Sequence, residues 1–117
     1  MIVELNVRGD CEPFCVVSVM GEIDIAAAPN LDKKLEEVVD GGQVDIILDL
    51  SEVTFLDSSG MSVLVKYLKR VRTAGGQIRL VVTIRRVRQV LEIASLDKVF
   101  PIFESLDAAL SNLTPGV

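Results

Sequence analysis

Residues 57–60, Asp57-Ser58-Ser59-Gly60, set a carboxylate and two adjacent hydroxyls directly ahead of an amphipathic stretch that begins at Met61. Asp and Ser are favoured helix N-caps, and Gly permits close packing, so capping alone accounts for these residue types. The same position also leaves the hydroxyls of Ser58 and Ser59 outside the fold. Free N–H groups and the helix dipole at such a start accommodate an added phosphate. A second chemistry is a serine nucleophile on a strand-turn-helix corner. That corner has the form Gly-x-Ser-x-Gly with a distant histidine, whereas position 56 is Leu and the chain contains no His. Hydrolysis by a histidine-based triad is thereby excluded, and a lysine base is the one formal alternative for an enzyme.

Three further groups bear on chemistry. Asp49 is placed at the end of an apolar strand, where receiver-type phosphoryl acceptors occur, but the acidic pair and the following lysine of such sites have no counterparts. Asp49 is therefore read as a strand-end turn residue. Glu22 and Asp24 are two residues apart in an expected loop after an apolar strand. Their interest is positional, because a loop after one parallel strand opens at the same sheet end as the next. Arg85, Arg86 and Arg88 cluster at the start of an expected helix. This is a solvated face, or a partner contact, since cations there oppose the helix dipole.

Composition narrows the classes. A net charge of −5 and a pI near 4.6 argue against nucleic acid and anionic membranes as partners. Cys11 and Cys15 make no disulfide framework and are too few for a zinc site without histidine. Cys15 is expected as a small core residue and Cys11 in a loop. No metal and no cofactor are expected, and no Gly-rich phosphate loop is present. The N-terminus lacks a signal-peptide plan and no run is long enough to span a bilayer, so the cytoplasm is the expected compartment.

The elements that must position these residues follow from periodicity. Ile2, Leu5 and Val7 suggest a first strand, and Phe14 to Met20 a buried second strand that leaves through a Gly21–Asp24 loop. Pro29 opens a helix carrying Leu31, Leu35, Val38 and Val39, which Gly41-Gly42 stops. Val44 to Leu50 is a central strand covered on both faces. The helix from Ser58 bears Met61, Leu64, Val65, Leu68 and Val71 and ends at Gly75-Gly76. Ile78 to Val82 is a strand, Val87 to Ala94 a short helix, Val99 to Phe103 an edge strand, and Leu106 to Leu113 a last helix. The β-β-α-β-α-β-α-β-α order predicts an α/β fold with a mixed, mostly parallel sheet of four to five strands and about four helices. Its aliphatic core needs no staple at 117 residues. A single domain over 1–113 with a frayed tail at 114–117 is expected.

Taken in order, Gly21-Glu22-Ile23-Asp24, Leu48-Asp49-Leu50, Phe55-Leu56-Asp57-Ser58-Ser59-Gly60 and the Gly75-Gly76 turn resemble the STAS-domain anti-sigma factor antagonists over nearly the whole chain. The resemblance implies a STAS-like domain that binds an anti-sigma factor with serine kinase activity and so frees a sigma factor. It implies that the kinase phosphorylates Ser58, with Ser59 as the fallback, and that a phosphoserine phosphatase resets the protein. The partner surface it implies comprises Glu22, Asp24, Asp57, Ser58, Ser59, Gly60 and Met61, with no catalytic residue. Ala26-Ala27-Ala28 departs from members that carry polar residues there. The alternatives are a phosphorylation-independent STAS scaffold, a ligand-sensing module, or a small serine-nucleophile enzyme. The oligomeric state is a monomer or a weak dimer.

Overall fold

Alternating apolar residues in the central strands must be covered twice, and the architecture follows from that need. The computed structural model describes residues 4–8 and 14–111. It contains β1 (Glu4–Arg8), β2 (Cys15–Ile23), α1 (Ala28–Asp40), β3 (Asp45–Leu56), α2 (Ser58–Thr73), β4 (Gln77–Val81), α3 (Arg85–Ile93), β5 (Ile102–Phe103) and α4 (Leu106–Ser111). The sheet order is β1-β2-β3-β4-β5. β1 runs antiparallel to β2, and every later neighbour is parallel. The expected α/β class, strand number and helix order hold. The expected 114–117 tail, Ile2, Leu113 and Cys11 lie outside the described residues.

Along β3, Ile46, Leu48 and Leu50 face a large core with Leu31 and Leu35 of α1, Leu64, Tyr67 and Val71 of α2, and Val87 and Leu91 of α3. Ile47 faces the opposite side, where Phe14, Val16, Val81 and Ala109 form a smaller cluster under α4. Arg79 sits on this second side, paired in register with Ile47 and fully buried. Its guanidinium lies 4.5 Å from the ring centroid of Phe14 and 5.6 Å from that of Phe103. Nη1 donates to the Ala109 carbonyl and Nε to the Gln77 side chain. Burial lowers the pKa of this group, which is the one charge set within an otherwise apolar strand expectation.

Four differences from the sequence-based expectations matter. β2 does not end at Met20: it continues to Ile23, so Gly21 and Glu22 lie in the strand and the loop begins at Asp24. The register shifts twice on the way, and Gly21 takes φ 105°, a bulge conformation that favours glycine. β3 likewise runs through to Leu56, and Asp49 sits inside it, opposite Ser18 and Val81. Polar residues on the less covered sheet face read as loop in a sequence while the ladder continues beneath them. Cys15 is buried as expected but is disulfide-bonded, where no disulfide framework was expected. A 3₁₀ turn over Leu96–Lys98 precedes Val99, which lies outside β5.

α1 is fastened to α2 by charge. The buried Tyr67 hydroxyl donates to Asp32, and Lys66 Nζ reaches the two Asp32 oxygens at 3.1 and 3.0 Å. Arg70 meets Asp40 at 2.8 Å. The tyrosine hydrogen bond is the main cause that holds the Asp32 pKa below its usual value, with Lys66 next. Among the described residues no helix is long and apolar enough to cross a membrane. Replacing Tyr67→Phe is expected to cost about 1–2 kcal/mol in urea denaturation, because Asp32 loses its buried neutral donor. The substitution should also weaken the acid sensitivity of stability that Asp32 contributes.

Candidate functional site

The candidate site forms where β2 and β3 end side by side. Ile23 pairs with Leu56, and the Asp57 amide donates to the Ile23 carbonyl at 3.2 Å, so both following loops leave the sheet together. On one loop Asp24 turns back on itself: its side chain accepts from the Ala27 amide at 2.9 Å and leads into α1. On the other, Asp57 is the N-cap of α2. Its Oδ1 accepts from the amides of Ser59 at 3.0 Å and Gly60 at 3.3 Å, and from the Ser59 hydroxyl at 2.5 Å. These bonds, the Ser59 hydroxyl first, hold the Asp57 carboxyl below its ordinary 3.8.

The two serines are thereby separated. Ser59 is half-buried and its hydroxyl is committed to Asp57. Ser58 is exposed, and its hydroxyl has no hydrogen-bond partner among the described residues; only its backbone carbonyl is engaged, by the Ser62 hydroxyl at 2.9 Å. Gly60 is buried behind them. A Cβ there would stand 2.6 Å from Ile23 Cγ2 and 2.7 Å from Leu56 Cδ1, so the start of α2 lies directly on the end of β2.

Glu22 and Asp24 are half-buried on the neighbouring strand and loop, and Met61 is half-buried one turn into α2. All seven residues expected at the partner surface thus belong to one sheet end, although Glu22 reaches it from a strand and Gly60 contributes spacing from within. The structure adds others. Phe55 is 41 % exposed at the end of β3, while its neighbour Leu56 is buried and anchors the loop in the core. Ile25 is 78 % exposed at the tip of the first loop. A groove of about 460 Å³ runs from Ser58 along Met61, Ser62, Val65 and Lys69 to Ala94 and Leu96. Val65 was expected in the core stripe of α2, yet Val63 and Tyr67 fill that place and Val65 lines the groove. The four-residue repeat of 61, 65 and 69 was the available signal for this second face.

The STAS domain family model matches residues 3–109. The anti-sigma-F factor antagonist RsfB of Mycobacterium tuberculosis is 32% identical over 92% of this chain and 87% of its own length. The anti-sigma-B factor antagonist of Bacillus subtilis is 33% identical over 74% and 78%. A crystal structure of an anti-sigma factor antagonist from Mycobacterium paratuberculosis superposes with a TM-score of 0.85 at 32% identity, covering 93% and 92% of the two chains. The chain belongs to the STAS-domain family of anti-sigma factor antagonists.

The depressed pKa of Asp57 has a directional consequence. The folded state holds the Asp57 proton less readily than the unfolded chain, so its contribution to stability is complete above the ordinary value of 3.8 and is lost as pH falls through the lower folded value. Asp57→Ala is expected to cost about 1 kcal/mol at neutral pH by loss of the cap. Asp57→Asn should retain most of that stability, since Asn also caps, while flattening this part of the acid limb in a pH series of denaturation midpoints.

Proposed function

We propose that this chain is an anti-sigma factor antagonist that binds an anti-sigma factor with serine kinase activity, frees a sigma factor, and is released when Ser58 is phosphorylated. The observation that carries the reading is the division of labour between the serines: Ser58 offers an exposed, uncommitted hydroxyl, while Ser59 is bound to the cap. Its relatives are antagonists of anti-sigma factors by name. The protein is on this reading a substrate and binding module with no catalysis of its own, acting in the cytoplasm and reset by a phosphoserine phosphatase.

Electrostatics supports a switch that needs no refolding. A phosphate adds about −1.5 to −2 charges. The amides of Ser59 and Gly60 that would otherwise neutralise it are already taken by Asp57. The new charge therefore remains on the docking face, in the company of Asp57, Glu22 and Asp24. Like charges brought together in an interface cost several kcal/mol, and each 1.4 kcal/mol is about tenfold in affinity. The exposed Ile25 and Phe55 and the groove beside Ser58 supply the apolar area that binding requires.

The test is affinity for the cognate anti-sigma factor, measured by calorimetry with and without ATP. Ser58→Ala should bind as the unmodified protein does and stay bound when ATP is added. Ser58→Asp should bind at least about tenfold more weakly, in line with the cost of one unfavourable charge contact. Equal affinities of the two variants would overturn the switch and leave a phosphorylation-independent scaffold. A serine-directed active-site probe should leave Ser58 unlabelled.

A further inference from the structure

We propose that the cavity at the carboxyl ends of β4 and β5 binds the phosphoryl group of a small phosphorylated metabolite through Arg85 and Arg88. This site is separate from the Ser58 surface and does not rest on its reading. The cavity holds about 460 Å³ and is lined by Val82, Thr83, Arg85, Arg88 and Glu104. Val82 and Thr83 follow the last residue of β4, and Glu104 follows the last of β5. The crevice outside the carboxyl ends of parallel strands is where open α/β sheets receive ligands.

The lining chemistry is specific. Three of the chain's 12 basic residues fall at positions 85, 86 and 88, in a protein whose net charge is −5. Arg85 and Arg88 are three apart on α3, hence on one face, and both line the cavity. Arg85 has no ion pair or side-chain hydrogen bond among the described residues. Arg88 uses only Nε, on Glu92 at 3.4 Å, which leaves its two terminal nitrogens for a ligand. Paired guanidinium forks match the oxygen geometry of a phosphoryl group. The Thr83 hydroxyl already donates to the Ser51 carbonyl at 3.0 Å, so the arginines are the donors.

Glu104 contributes a negative charge to the wall that opposes any anion, and the two arginines against this one carboxylate leave the lining net positive, so attraction grows with the charge of the ligand. Among the described residues no aromatic ring lines the cavity, so affinity should follow the phosphoryl charge and not stacking on a nucleobase. Occupation would also offset the placing of cations in the first turn of α3, where the dipole is positive.

The experiment is calorimetric titration of the full chain with inorganic pyrophosphate, inorganic phosphate and adenosine diphosphate at about 0.15 M salt, where diffuse attraction is screened. Pyrophosphate should saturate one site, bind more tightly than phosphate, and match adenosine diphosphate within about threefold, since 1.4 kcal/mol separates a tenfold difference. The double variant Arg85→Gln, Arg88→Gln should lose about tenfold or more in affinity, as expected for lost charge-assisted hydrogen bonds. Glu104→Gln should tighten binding. Arg86→Gln, which removes a single positive charge outside the cavity, should leave it nearly unchanged; circular dichroism checks that each variant is folded. Absence of saturable binding, or an equal loss from Arg86→Gln, overturns the site. Adenosine diphosphate binding more than about tenfold tighter than pyrophosphate overturns the ligand class.

Discussion

The parallel pairing of β2 with β3 out to Ile23 and Leu56 is the constraint on which the rest of the candidate site depends. It closes with the hydrogen bond from the Asp57 amide to the Ile23 carbonyl. That bond fixes where β3 stops and where α2 begins, and so fixes the direction in which Ser58 points. The absence of a Cβ at Gly60 allows α2 to start in contact with Ile23. One backbone bond and one missing methyl thus hold two loops, distant in sequence, as a single surface.

The charge placed on that surface is economical. Asp57 spends its carboxylate on the amides that open α2 and on the Ser59 hydroxyl. The same bonds stabilise the helix, remove Ser59 from chemistry and occupy two of the amides that could absorb a phosphate. A capping aspartate therefore does more than stabilise α2 here: it decides which of two adjacent serines remains available. Away from the site, α1 and α2 are held together by Asp32, Tyr67 and Lys66, and by Asp40 with Arg70, so the helix that presents Ser58 is braced along its length.

The two faces of the sheet are unequal. Three helices cover one, and the short α4 covers part of the other. On that second face Arg79 is buried between two aromatic rings, and its Nη2 is without a hydrogen-bond partner among the described residues. Arg79 joins α4 to β4 through the Ala109 carbonyl. The ring faces offset part of the cost of burying a cation with neutral partners. This lesser layer holds by one charged contact as well as by apolar packing.

Local pattern in the sequence determined a good deal. Periodicity located the α-helices, the α/β class and the succession of strands along the chain, because burial of one helix face or both strand faces imposes a repeat that is visible in the sequence. The Asp57-Ser58-Ser59-Gly60 run at a helix start was legible for the same reason, since capping acts within four residues. Tertiary structure alone decided what rests on distance across the chain. The extension of β2 through Gly21 and Glu22, and of β3 past Asp49, depends on ladder partners in another strand. The exposure of Phe55, the groove formed by Val65 and Lys69 with Ala94 and Leu96, and the cavity that brings Glu104 to Arg85 and Arg88 depend on packing between elements. Such contacts leave no period in the sequence, because the residues that make them are chosen by the geometry of the fold and not by their neighbours along the chain.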